Sequence, residues 1–179
     1  MTKIQDIYDA VDDYGLITSA DAAKLGVSNV ELVQQKEKGR LVRVERGVYR
    51  MPIWPSQKYA PYAIAVKAAG AGAYLYGESV IALLELAPTN PAKMWIGTSK
   101  RVRKNLGRDT RFVTDRTVKP VYYEGILCQP VDQAICCASA VIGKTRASQA
   151  AKNAYKQGYI TKQVLEKIKE ELALHEKTE

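Results

Sequence analysis

The sequence predicts an α+β fold in two parts, and three observations predict it. The first fifty residues read as three short helices and a β-hairpin. A proline-rich break follows. The remaining residues alternate between strand and helix signals and then end in helices. Each element follows from local chemistry.

Ile4, Ile7, Tyr8 and Val11 recur at helical spacing, so a first helix is expected from Lys3 to about Asp13, with Asp6, Asp9, Asp12 and Asp13 outward and Gly15 as its stop. Leu16 and Ile17 form an extended link. Thr18 or Ser19 can cap a second helix running to Leu25, because a hydroxyl at this position accepts from an otherwise unpaired backbone N–H. Gly26 allows a tight turn, and Ala22 and Ala23 let the second helix approach the third. Ser28 caps that third helix, Asn29 to Lys38, and Gly39 stops it. Two β-prone runs, 41–44 and 48–50, flank a turn containing Gly47 and signal a hairpin. This order and spacing is that of a winged helix-turn-helix.

Pro52, Pro55 and Pro61, with Ser56 and Gln57, break the pattern. The expected division is therefore a winged domain over 1–51, a linker over 52–60 and a C-terminal domain over 61–179. In the latter, helices are expected at 62–69, 78–86, 132–142 and 148–156, with a last one capped by Thr161 and carrying Val164, Leu165, Ile168 and Leu172 as one apolar stripe. Strands are expected at 94–97, 111–113, 118–119, 121–123 and 125–128. Ser99 is expected to cap a short helix over 100–106, closed by Gly107.

The net charge of +8 is unevenly placed. Residues 1–50 hold eight basic and eight acidic residues, whereas 91–120 hold nine basic and two acidic. Lys93, Lys100, Arg101, Arg103, Lys104, Arg108, Arg111, Arg116 and Lys119 make this basic segment. On a helix, Lys100 and Lys104 would repel each other. Three readings stay open for the segment: an extension of a DNA footprint, a site for RNA or a nucleotide, and a solvated surface.

A helix that enters the major groove needs polar side chains near its N-terminal end. Ser28, Asn29, Gln34 and Gln35 suit base reading, since Asn and Gln can pair bidentately with adenine. Lys36, Lys38, Arg40, Arg43, Arg46 and Arg50 suit phosphate contact. The alternative is a helical protein-interaction module with ordinary solvated side chains.

Other classes are disfavoured. No stretch approaches the roughly 20 apolar residues of a membrane span. The N-terminus lacks the apolar core of a secretory signal, so the cytoplasm is the expected compartment. Cys128, Cys136 and Cys137 lack metal-ligand spacing and are expected to be buried thiols, with no metal and no cofactor. The single histidine, His175, is expected at the surface. Asp109, Asp115, Glu124 and Asp132 have no nuclease spacing, and no nucleophilic set or phosphate-binding loop occurs, so no enzyme is expected.

Residues 15–29 (GLITSADAAKLGVSN) and 39–50 (GRLVRVERGVYR) resemble the N-terminal domain of AbiEi antitoxins of bacterial type IV, abortive-infection toxin–antitoxin systems. Residues 77–86 (GESVIALLEL), 93–106 (KMWIGTSKRVRKNL) and 123–132 (YEGILCQPVD) resemble elements of that family's C-terminal antitoxin domain. Gln35 departs from the pattern, standing where an apolar residue is expected. The resemblance implies a repressor that binds double-stranded promoter DNA at inverted repeats in its own operon. It also implies an antitoxin that counters a nucleotidyltransferase toxin without stable direct contact. The oligomeric state stays open, and a monomer binding cooperatively to the repeats is one arrangement it allows. A stand-alone winged-helix regulator with no toxin partner is the alternative.

Overall fold

The computed structural model describes residues 2–174 of the chain; His175 lies outside them. Two compact units divide it, Met1–Ala71 and Gly72–Glu179.

The first unit runs α1 (Lys3–Ala10), β1 (Leu16–Thr18), α2 (Ser19–Lys24), α3 (Asn29–Glu37), β2 (Val42–Glu45), β3 (Val48–Arg50) and α4 (Ala60–Ala69). Helix α1 stops earlier than Asp13 because the Asp12 carboxylate accepts the backbone N–H groups of Tyr14 and Leu16, both at 2.9 Å. A short acidic side chain bonding its own backbone competes with helix in this way. Gly15 follows at φ +70 beneath the Trp54 ring, where a Cβ has no room. Thr18 caps α2 by accepting from Asp21 N. Ser28 and Glu31 form a reciprocal capping box at the start of α3.

The three strands make an antiparallel sheet in the order β1-β3-β2, with Ile17 opposite Tyr49 and a register irregularity between Arg43 and Glu45. Between helices and sheet lies one small core of Ile7, Ile17, Ala22, Val27, Leu32, Leu41 and Tyr49, with Ile4, Tyr8 and Val11 packed against it.

The proline-rich stretch is not a free linker. Met51 N bonds Gly15 O at 3.1 Å, and Gln57 Nε2 donates to Asp13 O at 2.9 Å. Helix α4 packs against β1, β2 and β3, and Lys67 Nζ lies 3.3 Å from Asp12 Oδ2. The first unit therefore extends past the expected division at 52–60 and closes at Ala71.

The second unit contains β4 (Tyr74–Leu75), α5 (Glu78–Leu83), β5 (Met94–Thr98), β6 (Thr110–Thr114), β7 (Val121–Tyr123), β8 (Ile126–Cys128), α6 (Val131–Ile142), α7 (Lys144–Lys156) and α8 (Lys162–Leu174). Its mixed sheet has the order β6-β5-β4-β8-β7. The β5–β6 and β4–β8 pairs are parallel, and the β4–β5 and β7–β8 pairs antiparallel. Gly97 lies under the buried Tyr74 ring, which closes the centre of the sheet. Helices α6, α7 and α8 pack on one another. Ala147, Ala150, Ala151 and Ala154 give α7 a small-residue face, and Leu165, Ile168 and Leu172 form the buried stripe of α8.

Five expectations change in this unit. Residues 100–106 form no helix. Thr98 Oγ1 donates to Lys100 O at 2.7 Å and Arg116 Nε to Ser99 O at 3.2 Å, so side chains occupy carbonyls of the would-be first turn. A helix of seven residues with no packed face is also too short to repay its nucleation. Helix α5 ends at Leu83, and the chain turns at Glu85 with φ 52. Val118 and Lys119 lie outside any strand, while α7 begins at Lys144 rather than Ser148. Of the cysteines only Cys128 is buried; Cys136 is half-buried and Cys137 exposed, and all three are free thiols.

Truncating Leu32 in this core of the first unit should cost about 2–5 kcal/mol. Amide hydrogen exchange in α1 to α3 should accordingly quicken about thirtyfold or more in Leu32→Ala. Unchanged exchange there would show that Leu32 does not hold this core together.

Candidate nucleic-acid interface

Packing decides which side of α3 faces out. Leu32 is fully buried, so the side of α3 it occupies is turned to the core and the rest of the short helix is open. Asn29, Val30, Val33, Gln34, Lys36, Glu37 and Lys38 are all exposed. Beyond the helix, Arg40, Arg43 on β2 and Arg46 in the hairpin turn are exposed as well. These cations therefore share one stretch of chain, from the end of α3 to the tip of the hairpin.

Two contacts from α1 hold this stretch in place. Tyr8 OH donates to Arg40 O at 2.7 Å and pins the link between α3 and β2. Lys3 Nζ donates to Gly26 O at 3.1 Å and to Glu31 Oε1 at 2.6 Å, tying α1 to the α2–α3 turn and the first turn of α3. The Lys3 bond, then the Ser28 backbone and side-chain bonds, hold the Glu31 carboxyl down at about 2 from an ordinary value of 4.5. A carboxylate in the first helical turn also suits the local dipole. Glu45 Oε1 accepts from Arg46 N at 2.8 Å, so this acidic group is folded onto the hairpin tip.

Three of the sequence-expected residues sit differently. The Ser28 hydroxyl is engaged in the capping box, accepting from Glu31 N at 3.2 Å and donating to Glu31 Oε2 at 3.0 Å. It positions α3, and its only proton is committed to Glu31. Gln35, three residues after Leu32, is half-buried, and its Oε1 is buried without a hydrogen-bond partner. Arg50 is half-buried on the central strand β3, with its Nε likewise buried and unpartnered. Neither belongs to the exposed face.

Sequence reasoning missed two residues that do. Val30 is 66% exposed and Val33 41% exposed, on the outward side of α3 and at its edge respectively. The signal was available: Val30 and Val33 share a face three residues apart, and Leu32 cannot lie on it.

In the second unit, Lys100, Arg101, Arg103, Lys104 and Arg108 are exposed on the loop between β5 and β6, and Arg111 is exposed on the edge strand β6. Lys93 is half-buried and donates to Arg108 O at 2.8 Å, which fastens the end of the loop. Asp115 accepts from Thr117 N and Thr117 Oγ1, and these bonds hold its carboxyl below its usual range. It serves a turn. Glu124 occupies the β7–β8 turn and Asp132 the first turn of α6. Among the described residues, no group of three or more His, Cys, Asp or Glu could hold a metal ion, and no helix is long and apolar enough to cross a membrane.

Residues 5–52 match the family model described as transcriptional regulator, AbiEi antitoxin. That span runs from α1 through β3 and so includes the whole of the exposed basic stretch. No curated protein matches the chain.

The depressed Glu31 carboxyl gives a pH signature. A group whose pKa falls on folding contributes stability that is fully present above its unfolded value and lost as pH drops through the folded one. The melting temperature of wild type should therefore exceed that of Glu31→Gln by a constant margin above about pH 4.5, shrinking to nothing near pH 2. A margin independent of pH would show that the Lys3–Glu31 pair adds nothing.

Proposed function

We propose that this chain, whose residues 5–52 match the family model described as transcriptional regulator, AbiEi antitoxin, represses its own toxin–antitoxin operon by binding inverted repeats in the promoter and counteracts a nucleotidyltransferase toxin encoded beside it. In this reading the first unit is a winged helix-turn-helix: α2 and α3 are the helix pair, α3 enters the major groove, and the β2–β3 hairpin is the wing.

The observation that carries the reading is the outward face of α3 continuing into a run of exposed cations. Asn29 and Gln34 reach base edges, while Lys36, Lys38, Arg40, Arg43 and Arg46 meet phosphates. Phosphate contacts set position, and base contacts set sequence. The first fifty residues carry no net charge, so the polarity of the unit orients it: acidic α1 side chains are repelled by the duplex and the basic stretch is drawn to it. The role is non-catalytic and needs no cofactor. The exposed basic loop of the second unit fits a second contact with a polyanion.

The test is a salt titration of binding to the chain's own promoter. With roughly five phosphates neutralised, the slope of log affinity against log salt should be about −4 to −5. A flat slope, or no binding at low salt, overturns the reading. Arg46→Ala should weaken binding to all sequences alike and flatten the slope by about one, whereas Gln34→Ala should change sequence preference.

Charge reversal at Arg101 and Lys104 tests the loop. Repression or toxin neutralisation should be lost; if both persist, the loop is only a solvated surface. Growth rescue of cells co-expressing the neighbouring nucleotidyltransferase-like gene tests the antitoxin role, and a chain with no such neighbour is a stand-alone regulator.

A further inference from the structure

We infer that Val30 and Val33 are specificity-determining residues that read the 5-methyl groups of thymines in the major groove. This rests on the DNA-binding reading above and goes beyond it, since that reading assigns base recognition to the polar side chains alone.

The two valines are the exposed apolar residues of α3, Val30 opposite buried Leu32 and Val33 on the flank between them. Nothing in the core uses them. Exposed positions of a helix tolerate polar residues; here two β-branched side chains reach solvent instead, Val30 the more fully. Branching at Cβ leaves essentially one χ1 rotamer in a helix, so each side chain is already fixed and loses little entropy on contact. Three residues of α-helix rise about 4.5 Å, a little more than the 3.4 Å between base pairs. The pair can therefore meet methyl groups on neighbouring steps.

The surroundings select the occupant. A protein interface buries about 800 Å² on each side, far more than two valine side chains offer. What borders them is Asn29 and Gln34 on the helix and the cations Lys36, Lys38, Arg40, Arg43 and Arg46 beyond it. That charge complements a phosphate backbone. Within the major groove, thymine alone presents a methyl group. Glu37 lies one turn further along the same face, beyond the end that enters the groove first, and its charge is flanked by Lys36 and Lys38.

The experiment uses the full chain and duplexes selected from a random pool for tight binding. Each thymine of a selected site is then replaced by deoxyuridine, which removes only the methyl. At one or two positions wild-type affinity should fall about fourfold, equivalent to about 0.8 kcal/mol for one buried methyl-sized group. Val30→Ala and Val33→Ala keep high helix propensity. Each should abolish the thymine preference at one position while leaving the salt slope unchanged.

Equal wild-type affinity for thymine and deoxyuridine at every position overturns the inference, as does an undiminished preference in both variants. A change in oligomeric state in place of a change in thymine preference also overturns it and makes the valines a protein contact. If no duplex is selected at all, the DNA-binding reading itself fails, which separates the two failures.

Discussion

The first unit depends on the rotation of α3, which burial of Leu32 sets together with the Ser28 cap and the Lys3 bonds. The helix has nine residues, too few to persist in water without packing. Leu32 fills the centre of a cluster drawn from α1, β1, α2, β3 and the approaches to the strands. Full burial of one leucine is worth about 1.5–3 kcal/mol, and the Ser28 cap adds about 1 kcal/mol. Against this stands the buried Gln35 carbonyl, which costs about 1–3 kcal/mol when it has no partner. The terms are of similar size, so Leu32 alone does not decide the matter decisively. Leu32, the cap and the Lys3 bonds to Gly26 and Glu31 act together, and together they prevail. A turn of one residue about the helix axis would release Gln35 and bury Val33, and the exposed face would be a different one.

Charge is arranged differently in the two units. In the first, the acidic and basic residues of positions 1–50 balance and are separated, so a nearly neutral unit has a direction. In the second it is concentrated on a loop. Had 100–106 been helical, Lys100 and Lys104 would have been held on one face within about 6 Å. As a loop, the cations can spread, and at physiological salt their repulsion decays over about 8 Å. The absence of a helix is therefore consistent with the charge pattern. The loop is still fastened at both ends, by the Lys93 bond to Arg108 O and the Arg116 bond to Ser99 O.

Where a local signal sufficed, the sequence was readable. The hydroxyl caps Thr18, Ser28 and Thr161 mark the starts of α2, α3 and α8, and alternation around Gly47 marks the hairpin. Where the decisive contact is distant, it was not. The prolines of 51–59 resemble a linker, yet Gly15 makes a seat for Trp54 that no local pattern announces. Strand β4 has two residues, too short for any alternation, and exists because β5 and β8 flank it. The same holds for the candidate site. Its cations and Asn29 and Gln34 were legible as types, but exposure of Val30 and Val33 and withdrawal of Gln35 and Arg50 follow from packing. One of these was inferable: a helix with Leu32 inside must turn Val30 and Val33 outside.

The two kinds of contact on the proposed interface obey different laws, and this division has a consequence. Attraction between cations and phosphates is long-ranged, indifferent to sequence and weakened by salt. Contact between a valine and a thymine methyl is short-ranged, specific and nearly indifferent to salt, because it arises from removing apolar surface from water. Raising salt should therefore strip away affinity for all duplexes alike while leaving the ratio between right and wrong sites almost untouched. In the proposed reading the chain finds DNA through Lys36 to Arg46 and recognises it through Asn29, Val30, Val33 and Gln34. The two tasks fall to different residues on a single face, and they remain separable only because the core beneath α3 keeps that face from turning.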